Sequence, residues 1–122
     1  QTSLVGSEMC IRDSSKYILQ NYHERILHVH CKDIRKQVLE KSLKEDLSFR
    51  GAFLEGAFTV PGDGCIDYQP LFNVLKNNNY SGWLVVEAEQ DPAKANPLEY
   101  AKIGYNYLTD TLKKSEIEIY KN

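Results

Sequence analysis

The sequence predicts an α/β protein with parallel strands, and three observations carry that expectation. Two short runs rich in β-formers, Ile26 to Cys31 (ILHVHC) and Trp83 to Glu89 (WLVVEAE), are each followed by helical patterns. The ~50 residues between them hold helices of their own, a crossover long enough to bring the second strand back beside the first in the same direction. The 122 residues are 42% hydrophobic and 26% charged, an ordinary globular composition that excludes wholesale disorder. Two strands do not make a stable sheet core by themselves, so the chain reads as the end of a larger α/β protein.

The elements follow in order. Gln1 to Ser14 (QTSLVGSEMCIRDS) has no regular hydrophobic period, is too polar at both ends for a signal peptide, and looks like a translated sequencing adapter. Residues 1–14 are therefore expected to be a leader foreign to the fold and to pack poorly, with the domain spanning 15–114. Lys16 to Arg25 carries Tyr17, Ile18, Leu19 and Tyr22, as suits the end of an amphipathic helix leading into the strand at Ile26. Arg35 to Asp46 places Val38, Leu39 and Leu43 among Lys and Glu, a solvated helix with one narrow apolar face. Ser48 to Gly56 offers one or two further helical turns, with Phe49, Ala52 and Phe53 on one side.

The segment Pro61-Gly62-Asp63-Gly64 is a turn, because proline fixes φ and glycine permits positive φ. Asp67 stands at an N-cap position before Tyr68 to Lys76, whose Leu71, Phe72, Val74 and Leu75 form a core-facing stripe. Asn77, Asn78 and Asn79 end that helix, and Gly82 opens the second strand. Asn96-Pro97-Leu98-Glu99 is a helix start, with an Asn cap, proline at the first helical position and glutamate at the third. Leu98, Ala101, Tyr105, Leu108 and Leu112 follow at helical spacing. Lys113 and Lys114 close the helix where its dipole favours cations. Residues 115–122 are expected to fray.

Several function classes are disfavoured. A net charge of −2, from 15 basic and 17 acidic residues, does not suit a nucleic-acid-binding protein. No apolar run approaches the ~18 residues of a membrane span. Cys10, Cys31 and Cys65 are odd in number, widely spaced and without a CxxC, so neither a disulfide framework nor a zinc ribbon is indicated. A reducing, cytoplasmic setting fits them.

The chemistry lies at the strand ends. Side chains alternate along a strand, so His28, His30 and Lys32 share one face of the first, and Trp83, Val85, Glu87 and Glu89 one face of the second. With those faces on the same side, His30 and Glu87 meet at the carboxyl ends, where parallel α/β folds build active sites. An imidazole and a carboxylate there suit a divalent metal such as Mn²⁺ or Co²⁺. Each feature alone has a plainer reading. A lone HxH is more often a hydrogen-bonded core histidine, a carboxylate at a strand end is usually solvated, and PGDG is most often only a turn. Cys31 points to the opposite face, as a small core residue would, and Tyr80 and Trp83 read as packing. The combination of HxHxKD, a glycine-rich turn and VVExE is what favours a site.

The stretches HVHCKD, FTVPGDGCIDYQPLF and YSGWLVVEAEQDPAKANPLEYAKIGYNYL resemble the C-terminal third of the inosose dehydratases, within the xylose-isomerase-like TIM-barrel superfamily. The resemblance covers roughly residues 28–108. It implies a C-terminal fragment of a (β/α)₈ barrel, with Ile26 to Cys31 as the seventh strand, Trp83 to Ala88 as the eighth and the N-terminal barrel units missing. It also implies a divalent metal, Mn²⁺ or Co²⁺, with His30 and Glu87 as two of its four ligands. The implied reaction, that of a hydro-lyase, removes water from 2-keto-myo-inositol, a cyclic polyol ketone, in inositol catabolism. Glu87 and Lys32 are the catalytic candidates, Lys32 either stabilising developing negative charge or serving as the acid. Asp33 and Arg35, in the KDIR segment, are expected to line the substrate pocket. His28 is a candidate for the same pocket, beside the ligand or in the core. The alternatives are a sugar isomerase or epimerase of the same superfamily, and a truncated chain without activity of its own.

Overall fold

A computed structural model describes residues 14–120 of the chain. The leader expected at residues 1–14 lies, but for Ser14, outside the described residues. Helix α1 (Ser14–Tyr22) and a 3-10 turn (His23–Arg25) lead into β1 (His28–Cys31). There follow β2 (Asp33–Ile34), α2 (Lys36–Lys44), α3 (Phe49–Leu54), β3 (Phe58–Thr59), α4 (Gln69–Asn77), β4 (Trp83–Val86) and α5 (Pro97–Lys114).

β1 and β4 pair in parallel, His28 opposite Trp83 and Cys31 opposite Val86. The described residues thus show the expected parallel pair and no closed barrel. β1 sends Val29 and Cys31 into a core with Leu19 of α1, Leu71, Phe72 and Leu75 of α4, and Leu108 and Leu112 of α5. That packing covers one face of the pair and leaves His28, His30 and Lys32 on the other. A second pair was not anticipated: Asp33 and Ile34 of β2 pair antiparallel with Thr59 and Phe58 of β3. Two-residue strands carry too little pattern to be read from sequence.

The turn at Pro61–Gly64 is held from beneath. Gly62 has φ +90°, and a Cβ there would lie 2.7 Å from Tyr107 carbons. A Cβ on Gly64 would collide with the Asp33 carboxylate and lie 2.7 Å from the Ile34 carbonyl oxygen. Both glycines are therefore required, one for conformation and contact, the other for contact alone.

Four local expectations are corrected. Leu43 is 72% exposed, and Ser42 is the buried residue of α2, its hydroxyl donating to the Val38 carbonyl at 2.8 Å. Residues 38 and 42 stack on one helical face, which turns Leu43 outward. Asp67 accepts from the Gln69 amide at 3.0 Å, while the N-cap position falls on Tyr68, whose ring is drawn into the core. On α5, Leu98 and Tyr105 are exposed, and the buried face is Gly104, Leu108, Thr111 and Leu112. The reason is Gly104, where a Cβ would lie 2.6 Å from a Val86 methyl, so the helix meets β4 at its bare residue.

Residues 115–117, expected to fray, are folded back onto the helix. Glu116 adopts φ +55°, its amide bonds the Lys113 carbonyl, and the Ile117 amide bonds that of Leu112. This Schellman ending brings Ile117 against the core. The same pattern of bonds closes α2 at Asp46, α3 at Gly56 and α4 at Asn79. Asn96 caps α5 as expected, accepting from the Leu98 and Glu99 amides.

Candidate metal and substrate site

β1 and β4 end together, and one further backbone bond extends their ladder: the Glu87 amide donates to the Cys31 carbonyl at 3.1 Å. This bond sets Glu87 against β1 one rung past the last strand pair. The His30 Nδ1 atom then lies 2.6 Å from Glu87 Oε2. Both side chains are about one-third exposed, at 34% and 36%.

Lys32 closes the group. Its Nζ lies 3.1 Å from Glu87 Oε1 and 3.2 Å from Glu89 Oε1, so one ammonium bridges two carboxylates. Partial burial works against the charged ammonium, but the contacts with Glu87 and Glu89 outweigh it and hold the Lys32 pKa above its ordinary value. Glu87 is moved the other way. Slight burial would raise its pKa, yet the hydrogen bonds from Lys32 and His30 hold it below the usual carboxylate range. At neutral pH the pair is therefore ionised.

A pH dependence follows. Since Glu87 ionises below its reference value of 4.5, its pairing contributes stability that is complete above that value. The contribution is lost as pH falls through the lower folded value. A ¹³C titration of the Glu87 carboxyl should give a midpoint below 4.5, moving up toward 4.5 in Lys32→Met. An unshifted midpoint in the wild-type chain would contradict the contacts.

The other candidates divide. The exposed His28 ring sits 5.2 Å from that of His30, centroid to centroid, on the same face. Asp33, expected at the substrate pocket, is 1% exposed and serves the loop instead. Its Oδ1 accepts from the amides of Ile34 (2.8 Å) and Ile66 (3.0 Å), and its Oδ2 from Gly62 (3.2 Å). Burial raises its pKa, against the lowering effect of these backbone donors. Arg35 is likewise turned to protein groups. Its guanidinium donates to the Gly56 carbonyl at 2.6 Å and Asp63 Oδ2 at 2.5 Å, and lies 3.3 Å from the Tyr100 hydroxyl.

Cys31 is fully buried on the opposite face, and desolvation pushes its thiol up to about 12, which makes it inert, as the alternation implied. Trp83, read as packing, is 64% exposed. Tyr80 is partly buried and donates to the Trp83 carbonyl at 2.9 Å. A cleft of about 150 Å³ between Val60, Val86, Ala88, Gln90, Ala95, Pro97, Tyr100 and Ala101 lies along the helix-facing side of β4, not over the carboxylates. Sequence reasoning missed the Tyr68 hydroxyl, which donates to the Lys32 carbonyl at 2.6 Å and fixes the backbone where the chain leaves β1. No local pattern marks that contact, which joins residues 36 apart.

The chemistry of the donors fits a divalent ion in part. Metal–ligand bonds of ~2.1 Å put neighbouring donors ~3 Å apart, so a small rotation of either side chain opens the His30–Glu87 contact to that spacing. Among the described residues, no three of His, Cys, Asp or Glu gather around one point. His30 and Glu87 alone offer two donors of suitable chemistry.

A family model described as "Xylose isomerase-like TIM barrel" matches residues 7–111. The chain belongs to this family. In a xylose-isomerase-like barrel the carboxyl end of the strands is the site-bearing end, where His30 and Glu87 meet. The chain is 59% identical over 93 residues to an inosose dehydratase of Clostridium beijerinckii, covering 76% of this chain and 31% of the relative. It is 54% identical over 95 residues to one of Bacillus velezensis (78% and 32%) and 49% identical over 105 residues to one of Lactiplantibacillus plantarum (85% and 35%). The chain thus spans about a third of the length of the curated relatives it matches. Among the described residues, no helix is long and apolar enough to cross a membrane.

Proposed function

We propose that this chain supplies the last part of the catalytic face of an inosose dehydratase, a hydro-lyase acting on 2-keto-myo-inositol. The observation that carries the reading is the His30–Glu87–Lys32 contact at the carboxyl ends of two parallel strands. The names and identities of the relatives support the substrate class.

His30 and Glu87 would hold a divalent ion, Mn²⁺ or Co²⁺, through Nδ1 and a carboxylate oxygen. Such an ion supplies Lewis-acid stabilisation of the negative charge that develops at a ketone oxygen. Dehydration removes a proton from the carbon beside the ketone and a hydroxyl from the next carbon, and that hydroxyl leaves as water once protonated. The raised pKa of Lys32 keeps it cationic at neutral pH, which suits it to steadying developing negative charge and makes it the weaker candidate for protonating the hydroxyl. Glu87 keeps its charge over the same range.

The test is a dehydration assay on a protein of the relatives' length carrying this sequence, with ketose epimerisation assayed in parallel. Water loss from inosose that chelation stops and Mn²⁺ restores is the expected outcome. Epimerisation without dehydration would move the chain to an isomerase of the same family, and activity indifferent to chelation would remove the metal. The 122-residue chain by itself should bind Mn²⁺ weakly and turn over no substrate, since two protein ligands leave most positions to water.

A further inference from the structure

The sheet of β1 and β4 ends at Val86, yet the two glutamates that face Lys32 lie beyond it, at 87 and 89. A short strand end without a neighbour is mobile unless something else holds it. Beyond the Glu87 amide bond to Cys31, the hold is on Gln90. Its Nε2 donates to Thr59 Oγ1 at 3.3 Å. Thr59 is fully buried in β3, and its hydroxyl donates in turn to Asp63 Oδ2 at 2.6 Å. The same Asp63 oxygen receives the Arg35 guanidinium at 2.5 Å, and Arg35 is fixed by the Gly56 carbonyl.

The directions in this chain are settled by chemistry. Arg35 can only donate, and the Asp63 oxygen that takes its bond also lies 2.6 Å from the Thr59 hydroxyl, so the Thr59 proton points to Asp63. That leaves a lone pair of Thr59 aimed at Gln90, which must present its amide nitrogen rather than its oxygen. A charged donor at one end thus orients an uncharged side chain at the other, next to Glu89.

We propose that Thr59 and Gln90 are positioning residues. Through the Arg35–Asp63 pair they brace the segment after β4, so that Glu87 and Glu89 stay within reach of Lys32 and His30. The proposal rests on the reading of those four residues as the working face. It gives the Pro61–Gly64 turn a role beyond reversal of the chain, as the base of a relay that ends beside the carboxylates.

The test uses a protein of the relatives' length carrying this sequence, and two readouts. The first needs no metal: NMR of the Glu87 amide exchange rate and of the Lys32 side-chain ammonium signal. Thr59→Val should speed Glu87 exchange about tenfold and broaden the Lys32 signal, while the β1 and β4 amides keep their rates. Thr59→Ser, which retains the hydroxyl, should restore both, and Gln90→Leu should reproduce the valine variant. The second readout is Mn²⁺ affinity, expected to weaken severalfold in Thr59→Val and to recover in Thr59→Ser.

Unchanged Glu87 exchange and Lys32 signal in both Thr59→Val and Gln90→Leu would overturn the brace. So would a valine variant whose β1 and β4 amides lose protection equally, since that is a packing defect. If Mn²⁺ affinity of the wild-type protein is indifferent to His30→Ala, the metal reading fails, and the exchange readout still decides the brace.

Discussion

Replacing Glu87 with Gln is expected to reduce inosose dehydration at least about a hundredfold in a protein of the relatives' length carrying this sequence. The substitution keeps the side chain's shape and removes its charge. It also places an amide NH₂ where a carboxylate oxygen now faces either Lys32 Nζ at 3.1 Å or His30 Nδ1 at 2.6 Å. Neither arrangement is neutral: one sets donor against ammonium, the other replaces the carboxylate oxygen that faces the imidazole. His30→Ala should be as severe, because it deletes a nitrogen donor outright. Glu89→Gln should be milder, since Lys32 keeps its contact with Glu87. Cys31→Ala should leave turnover near wild type, as the thiol is buried on the other face. Full activity in the Glu87→Gln protein, with loss in Glu89→Gln, would transfer the role to the second carboxylate.

The second large effect concerns folding. Gly64→Ala should destabilise the chain by about 3 kcal/mol or more, because overpacking against rigid groups is not relieved by side-chain motion. The added methyl would meet the Asp33 carboxylate and the Ile34 carbonyl, which are held in place by the loop's own amides and by β3. Urea denaturation followed by circular dichroism gives the measurement. Gly51→Ala is the control. It lies inside α3, where the new methyl would meet Leu47 Cβ at 3.3 Å and where alanine favours helix by about 1 kcal/mol. A Gly64→Ala midpoint equal to wild type would show that the turn does not rest on Asp33.

Much of the site was legible because its rules are local. Alternation along a strand needs only neighbouring residues, and it put His30 and Lys32 on one face, Glu87 and Glu89 on another. The parallel crossover then brought the two faces together across 57 residues of chain. Asn96 could be read as a cap because its partners, Leu98 and Glu99, are two and three residues away. The turn at Pro61–Gly64 could be read from its glycines, although not the reason Gly64 is needed.

Asp33 shows where such reading stops. In sequence it is a carboxylate next to a candidate catalytic lysine. In the fold it is 1% exposed and accepts amides from residues up to 33 positions away, so its role belongs to the loop. The partners of Arg35 (Gly56, Asp63 and Tyr100) lie 21 to 65 positions away and are equally invisible in sequence. The Schellman endings at Asp46 and Glu116 escaped notice because residues other than Gly or Asn rarely take positive φ, and nothing near them in sequence announces it.

What the sequence by itself determined was the α/β order, the parallel sense of β1 and β4, the cap of α5 and the set of groups that can meet at the strand ends. The tertiary structure alone decided which face of α5 is buried, that Lys32 bridges two glutamates, that Asp33 is buried beneath the loop and that Arg35 pairs with Asp63. The physical reason is range. Periodicity and capping are settled within one turn or one rung of chain. Burial and side-chain pairing depend on segments that approach from 18 to 65 residues away, at separations where a single bare position such as Gly104 sets how closely they can come.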